Sequence, residues 1–450
     1  MSTSTITNPV QSSAQSEDGH AALRVWFSDP LCFTPWYSAA LARALLSANI
    51  SLRFLSAGIS REPEYFSQFG LSPDPGPFRF DHWANGWPSS ARRALRCAAA
   101  VSNCMALTRV LNRSSETLPD ILHLQQLPLL NHDFTVDFKL IAAAQRRSIP
   151  VLHTVHNLLP HDTGKQLLTT YRRFYQSVDH LICHSCDVAE SLVRQFSVPA
   201  GSISVIPHGP LFEAPPANEE TAAVARKSLG LPEGRPVVLW QGVMAPYKGV
   251  DLLLKAWQLS ILRWRRSLAI QPLLVIAGTG AHETEMAARL AEQALPHDIR
   301  ADLHYIPTSQ LSLYYEAADL LVYPYRAITT SGALLTGLSY RKPIIASDLL
   351  PFREYLRHNE NALLVAPGDA VELSAALTQV MESLCGVERS PSLYNRLLTG
   401  AHINNQRYTG WDEIARRTIA VYHQINAGKQ AYPKVCKPMH TFPEAIANSR

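Results

Sequence analysis

Residues 320–354 read LLVYPYRAITTSGALLTGLSYRKPIIASDLLPFRE. Leu320, Leu321, Val322 and Tyr323 form a short uninterrupted apolar run of the kind that buried strands use. Pro324 begins a turn, and Thr329, Thr330, Ser331 and Gly332 then open a helical run over residues 333–340. A second apolar run, residues 343–346, follows almost at once. Strand, loop, helix and strand in that order predict part of a parallel α/β sheet, with a hydroxyl- and glycine-rich helix start facing the loop edge. Such a start offers N–H groups without intrahelical partners and a partial positive charge, a combination that binds phosphate.

The same alternation extends to both sides. Strands are predicted at 23–27, 51–55, 120–124, 149–156, 179–184, 202–206, 237–242 and 273–280, separated by helical runs at 39–48, 133–147, 165–178, 250–259 and 309–318. This is the pattern of doubly wound parallel sheets, in which the loops at the carboxyl ends of the strands carry function. The first strand-to-helix loop lacks G-x-G-x-x-G, which counts against an NAD-type domain. Residues 60–88, rich in Pro, Gly and aromatics, read as an irregular insertion near a cleft. The expected division is a tail at 1–21, a first domain at 22–208, a linker at 209–229 and a second domain at 230–395. Helices at 396–426 then cross back to the first domain, and a second tail covers 427–450.

A chain of 450 residues, 46% hydrophobic and 17% charged, is long enough for two globular cores. No apolar run is long enough for a transmembrane helix, and the first twenty residues lack the apolar centre of a signal peptide, so a cytoplasmic location is expected. Seven cysteines suit reduced thiols. Cys183 and Cys186 have redox or zinc spacing but no second pair, and His153 and His156, three apart on a strand, point to opposite faces, so no metal site is expected. A net charge of +4 gives no reason to expect nucleic acid. The helix over 90–112 starts with Arg92, Arg93 and Arg96. It reads either as a solvated face beside a core face or as a basic surface in peripheral contact with an anionic inner membrane leaflet.

Several segments together carry a resemblance. Val237 to Gly242 leads into a loop ending Lys248-Gly249; Leu273 to Gly280 ends in a G-x-G turn; Asn361 to Asp369 reads NALLVAPGD; and Pro207-His208-Gly209 closes the first half. With the 320–354 stretch, they resemble the retaining "glycosyltransferase group 1" (family 4-like) enzymes, whose GT-B architecture sets two Rossmann-like domains across a central cleft. The resemblance covers about residues 22–426 and is strongest in the second half. It implies transfer of a sugar from a nucleotide diphosphate donor, such as a UDP- or GDP-sugar, to a saccharide or lipid-linked saccharide acceptor in polysaccharide or glycoconjugate assembly. It implies no other cofactor. Its donor site would comprise Gly242, Lys248, Gly278, the backbone near Tyr305 and Ile306, Thr330, Ser331, Gly332 and Ala333. His156 matches the strand-end histidine that the family places beside the donor sugar; a buried, hydrogen-bonded structural histidine is its other reading.

The chain also departs from the family. The Glu-x7-Glu pair aligns with Ile328 and Thr336, and Val243 and Ala245 stand where an arginine is usual. Either Arg326 or Arg353 replaces the lost charge while Thr336 holds the ribose, or the chain is a noncatalytic partner of another transferase. A nucleotide-sugar epimerase of the same build is a third reading. Asp29, His156 and Asp162 are the groups available to orient or deprotonate an acceptor; with retention the leaving phosphate takes that proton, whereas with inversion Asp29 or His156 is the base.

Overall fold

The computed structural model describes residues 22–428 apart from 31–34, 57–61, 63–65, 68–69, 72–73, 75–88, 114–117, 128, 131–135, 161–163, 212–218, 388–391 and 407–409. The tail expected at 1–21, nearly all of that at 427–450, Asp162, most of the 60–88 insertion and most of the linker therefore fall outside the described residues, as do the side chains of Arg92, Arg93 and Arg96.

The first half runs β1 (Arg24–Ser28), α1 (Pro35–Ser47), β2 (Ser51–Leu55), α2 (Ser89–Arg113), β3 (Ile121–Leu124), α3 (Val136–Gln145), β4 (Val151–Val155), α4 (Leu168–Ser177), β5 (His180–Cys183), α5 (Cys186–Phe196) and β6 (Ile203–Val205). Its strands form one parallel six-stranded sheet in the order β2-β1-β3-β4-β5-β6. The second half continues with α6 (Glu219–Leu229), β7 (Val237–Gln241), α7 (Val250–Ser267), β8 (Leu273–Ala277), α8 (His282–Ala294), β9 (Ile299–Asp302), α9 (Thr308–Ala317) and β10 (Leu320–Tyr323). After these come α10 (Gly332–Ser339), β11 (Ile344–Ser347), the short α11 (Leu350–Arg353), β12 (Ala362–Val365), α12 (Ala370–Leu384), α13 (Ser392–Gln406) and α14 (Trp411–Asn426). A second parallel sheet results, in the order β12-β11-β10-β7-β8-β9. The two-sheet α/β architecture expected from the alternation is thus present.

Helices cover both faces of each sheet, which is why the central strands are uninterrupted apolar runs; Val238 and Leu239 are at most 1% exposed. α7 runs eight residues past its expected end because its apolar face continues at Ile261 and Trp264. Trp257 and Trp264, seven apart and buried, meet with ring centroids 4.7 Å apart. Truncating either to alanine would cost about 3–5 kcal/mol.

Each sheet reverses its order once. In the first, chain succession moves outward from β1 to β2 and then resumes on the other side at β3; in the second, it leaves β7 for β8 and β9, then resumes at β10. Crossovers on either side of such a reversal diverge, leaving a crevice outside the carboxyl ends of the strands. The chain passes between the sheets under α14, where Trp411 Nε1 donates to the Pro210 carbonyl (2.9 Å), and beside α10, where the Leu211 N–H donates to Thr336 Oγ1 (3.1 Å). α14 itself packs on α1, with Trp411, Ile414 and Tyr422 in one core with Tyr37 and Leu41.

Candidate active site

The crevice of the second sheet lies between the loops that follow β7 and β10. These loops are joined directly: the Arg326 N–H donates to the Tyr247 carbonyl (2.7 Å). Gly249 has φ +70°, and a Cβ there would stand 1.9 Å from the Pro324 carbonyl oxygen, so only glycine permits the approach. On the other side Gly278, at φ +143°, lies so close that its Cβ would be 2.0 Å from the Gly242 oxygen. Gly242 and Gly278 therefore shape the floor of the crevice by their lack of side chains.

Lys248 projects over this floor. Its Nζ would stand 3.0 Å from a Cβ at Gly242 and lies 5.4 Å from the centroid of the Tyr325 ring. Removal from water pushes its pKa down to about 8, and no carboxylate pairs with it among the described residues. Next to Tyr325 in the chain comes the loop into α10. Ser331 caps that helix, its Oγ accepting from the Leu334 N–H at 3.2 Å, and the first-turn N–H groups of Gly332 and Ala333 have no intrahelical partner. The tyrosines behind hold the turn: Tyr323 OH donates to the Ala333 carbonyl (3.0 Å) and Tyr315 OH to Gln241 Oε1 (2.8 Å). An ammonium and a helix N-terminus thus share one crevice, a cradle for an anion.

The first sheet meets this cradle through polar contacts. Thr329 Oγ1 donates to Asn157 Oδ1 (2.8 Å), Trp36 Nε1 to Thr308 Oγ1 (2.7 Å), and Tyr305 OH to Glu62 Oε1 (2.6 Å), which also accepts from the Thr308 N–H (2.8 Å). Behind Asn157 stands a buried histidine group. His156 Nε2 is 3.0 Å from Gln125 Oε1, so that nitrogen carries the proton and Nδ1 holds the lone pair. The Gln125 amide in turn donates to His123 Nε2 (2.8 Å), and His123 Nδ1 meets the Tyr422 hydroxyl of α14 at 2.7 Å. Burial holds all of these rings neutral: the pKa of His123 is pushed down to about 3 and that of His184 to about 4, and His156 is held well below the ordinary range by burial and then by His184 and His208.

His184 gives its Nδ1–H to the Ile206 carbonyl (3.0 Å), leaving a buried Nε2 with no partner among the described residues. It lines a cavity of about 10 Å³ with Thr330 and Ser331, the room of one water molecule. Among the described residues no group of three or more His, Cys, Asp or Glu side chains is arranged to hold a metal.

A model of the glycosyl transferases group 1 family matches residues 222–390, and one of glycosyltransferase family 4 matches residues 35–209. The chain belongs to the group 1, family 4-like glycosyltransferases. It is 25% identical over 302 residues to the D-inositol 3-phosphate glycosyltransferase of Thermomonospora curvata, covering 62% of this chain and 67% of that one. The protein of the same name from Xylanimonas cellulosilytica is 26% identical over 310 residues, covering 64% and 70%. Among solved structures, Anabaena HepE in complex with UDP and glucose superposes with a TM-score of 0.66 at 14% identity, over 89% of this chain and 99% of that one. Sucrose-phosphate synthase from Thermosynechococcus elongatus gives 0.62 at 19%, over 91% and 96%. These likenesses carry the fold, which is GT-B. The protein is a glycosyltransferase of the nucleotide-sugar class.

Several residues expected at the donor site of this glycosyltransferase are engaged elsewhere. Arg326 forms a two-pronged ion pair with Asp251 (2.9 and 2.6 Å) and also donates to the Pro246 carbonyl, so its charge is already neutralised. Arg353 is paired in the same way with Asp348, at 2.5 Å on both prongs. Thr336 is fully buried with its hydroxyl on the Leu211 N–H, which removes it from any ribose. The Ser331 hydroxyl serves as helix cap. Asp29 is fully buried, with Ser38 Oγ donating to it at 2.8 Å, so it does not face an acceptor as a base. Tyr305 and Ile306 lie in the loop after β9, Ile306 being 6% exposed.

Four residues carry no signal in the sequence: Trp36, Glu62 and Asn157, which span the cleft, and His184, which lies between the two cysteines with redox or zinc spacing. On this side of the site the sequence singles out His156, one residue before Asn157.

Proposed function

We propose that this glycosyltransferase binds a nucleoside diphosphate sugar with its diphosphate against Lys248 and the Gly332 and Ala333 N–H groups. The sugar then passes, with retention and without a metal, to a hydroxyl of a saccharide acceptor. The observation that carries the reading is Lys248, a lysine drawn from water with no carboxylate to pair it among the described residues, set beside a helix N-terminus at the order reversal of the second sheet. An anion is the partner such a group lacks.

In the transfer the bond from the anomeric carbon to the diphosphate oxygen breaks, and its electron pair leaves on that oxygen. Lys248 and the helix N-terminus stabilise the charge as it grows. The acceptor hydroxyl forms the new bond on the same face, and its proton passes to the departing oxygen, so no protein base is required. The buried and neutral His156 offers its Nδ1 lone pair to a sugar hydroxyl and so positions the donor. Each charge-assisted contact contributes about 1.5–3 kcal/mol, in a site from which domain closure excludes water.

The same reading includes a lipid-linked acceptor and a peripheral setting at a membrane surface. It is supported by α2, which exposes Met105 and Val110. No described helix is long and apolar enough to cross a membrane. Flotation with anionic and with neutral vesicles tests this part; equal behaviour with both removes it.

The test of the reaction is proton NMR of the product formed from UDP- and GDP-sugars and saccharide acceptors in the presence of EDTA. A product with the donor's anomeric configuration supports the mechanism. An inverted product, or activity abolished by EDTA and restored by a divalent ion, contradicts it.

A further inference from the structure

The first sheet has its own order reversal, between β1 and β3, and a cavity of about 110 Å³ opens there. Ser28 and Pro30 at the end of β1 form one edge of it. Leu107 and Val110 of α2, Leu124 and Leu127 at the end of β3 and Leu140 of α3 make most of the wall. Ser28, Ser56, Asn103 and Asp137 are the polar side chains set into this largely aliphatic wall. Asp137, in the first turn of α3 and 4% exposed, receives a weak contact from Cys104 Sγ on Oδ1 (3.8 Å), while its Oδ2 has no partner among the described residues. Burial pushes this carboxyl group up to about 7, so near neutrality it both accepts and donates. At the rim, Arg53 and Asp74 form an exposed ion pair (2.5 Å), which makes the mouth polar.

We propose that this cavity is an acceptor subsite, taking an aliphatic segment that bears a hydroxyl group, with Asp137 as the hydroxyl's partner. Position, lining and the unpartnered oxygen agree. Ligands of open α/β sheets bind outside the carboxyl ends of strands at an order reversal, and the reversal of the second sheet is already taken by the donor cradle. A largely aliphatic wall with a few polar groups, one of them a carboxyl oxygen without a partner among the described residues, selects an apolar group by burial and fixes its orientation by hydrogen bonding. An apolar cavity of roughly 150 Å³ accepts benzene, so this one has room for a short run of methylene carbons, the polar remainder lying at the Arg53–Asp74 rim. The subsite deepens the glycosyl-transfer reading, on which its role as an acceptor site rests. Its occupant is either the hydroxylated chain of a membrane lipid or the aglycone of a soluble acceptor.

The experiment titrates the full chain with n-octanol and with 1-methoxyoctane, which has the same chain but no hydroxyl hydrogen. Octanol is expected to bind at least fivefold more tightly than the ether. Leu107→Trp, which fills the cavity, should weaken octanol at least tenfold, and Asp137→Leu should erase the preference for the alcohol. No octanol binding, or binding indifferent to both variants, overturns the proposal and leaves a cavity that holds water only. If Leu107→Trp does not fold, the alcohol preference and its loss in Asp137→Leu decide alone. Flotation with phosphatidylcholine vesicles containing a polyprenol separates the sources: recruitment by the polyprenol supports a membrane chain, and octanol binding without recruitment supports a soluble aglycone. UDP titrated into the same preparation keeps the two readings apart. UDP binding without octanol binding sinks the subsite alone, and octanol binding without nucleotide binding sinks the donor site alone.

Discussion

Thr329 Oγ1 donates to Asn157 Oδ1 across the interdomain cleft at 2.8 Å. The bond joins the loop after β4, which follows His156 in the chain, to the loop before α10, which carries Thr330. Two positions 172 residues apart in the chain thereby bring the histidine group and the N-terminus of α10 to one cleft. Asn157→Ala removes this exposed, neutral bond, worth about 0.5–1 kcal/mol in holding the domains together. The catalytic efficiency should fall roughly two- to fivefold while the affinity for free nucleotide stays unchanged. Steady-state kinetics beside calorimetry checks this; an equal loss in both would place Asn157 on the nucleotide instead.

Arg326 makes a contrasting case. Because Asp251 already holds its guanidinium in a pair about half exposed, Arg326→Ala is expected to leave nucleotide affinity within about twofold and stability within about 1 kcal/mol. Calorimetric titration and urea denaturation report the two quantities. A tenfold loss of nucleotide affinity would return Arg326 to the donor site.

The chain of contacts from Tyr422 through His123 and Gln125 to His156 predicts a different signature. Gln125→Leu leaves the His156 Nε2–H without its acceptor in a buried site, at a cost of about 1–3 kcal/mol. Turnover should drop by about tenfold with nucleotide affinity preserved, since the network orients the ring and touches no phosphate. Restoration by Gln125→Glu, which keeps an acceptor, would separate orientation from general damage to the fold.

How much of this was legible in the sequence depends on how local the signal is. β10 and α10 stand within about a residue of their expected bounds, because Pro324 and the Ser331 cap announce them in the immediate chain. α7 ran long because Ile261 and Trp264 continue its buried face past a polar stretch. The motif places Arg326 and Thr336 at the donor. Their true partners, Asp251 and the Leu211 N–H, lie 75 and 125 residues away, and no local pattern announces them. Trp36, Glu62 and Asn157 escaped for the same reason: their functional contacts exist only once the two sheets face each other.

The central claim is that Lys248 holds the donor's diphosphate as a cation. Its pKa, pushed down to about 8 by burial, gives the claim a pH dependence. Below that value the lysine is already protonated and binding takes up no proton. Above it, binding must first protonate the lysine, so affinity should fall up to about tenfold per pH unit. The most direct measurement is calorimetric titration of UDP, GDP and ADP at pH 7 and pH 9 with the wild-type protein and Lys248→Ala. The account predicts that one nucleotide binds the wild-type protein, more weakly at pH 9, and that Lys248→Ala binds it roughly 10- to 100-fold less tightly with no such pH dependence. Equal affinity in the two proteins at both pH values would contradict it.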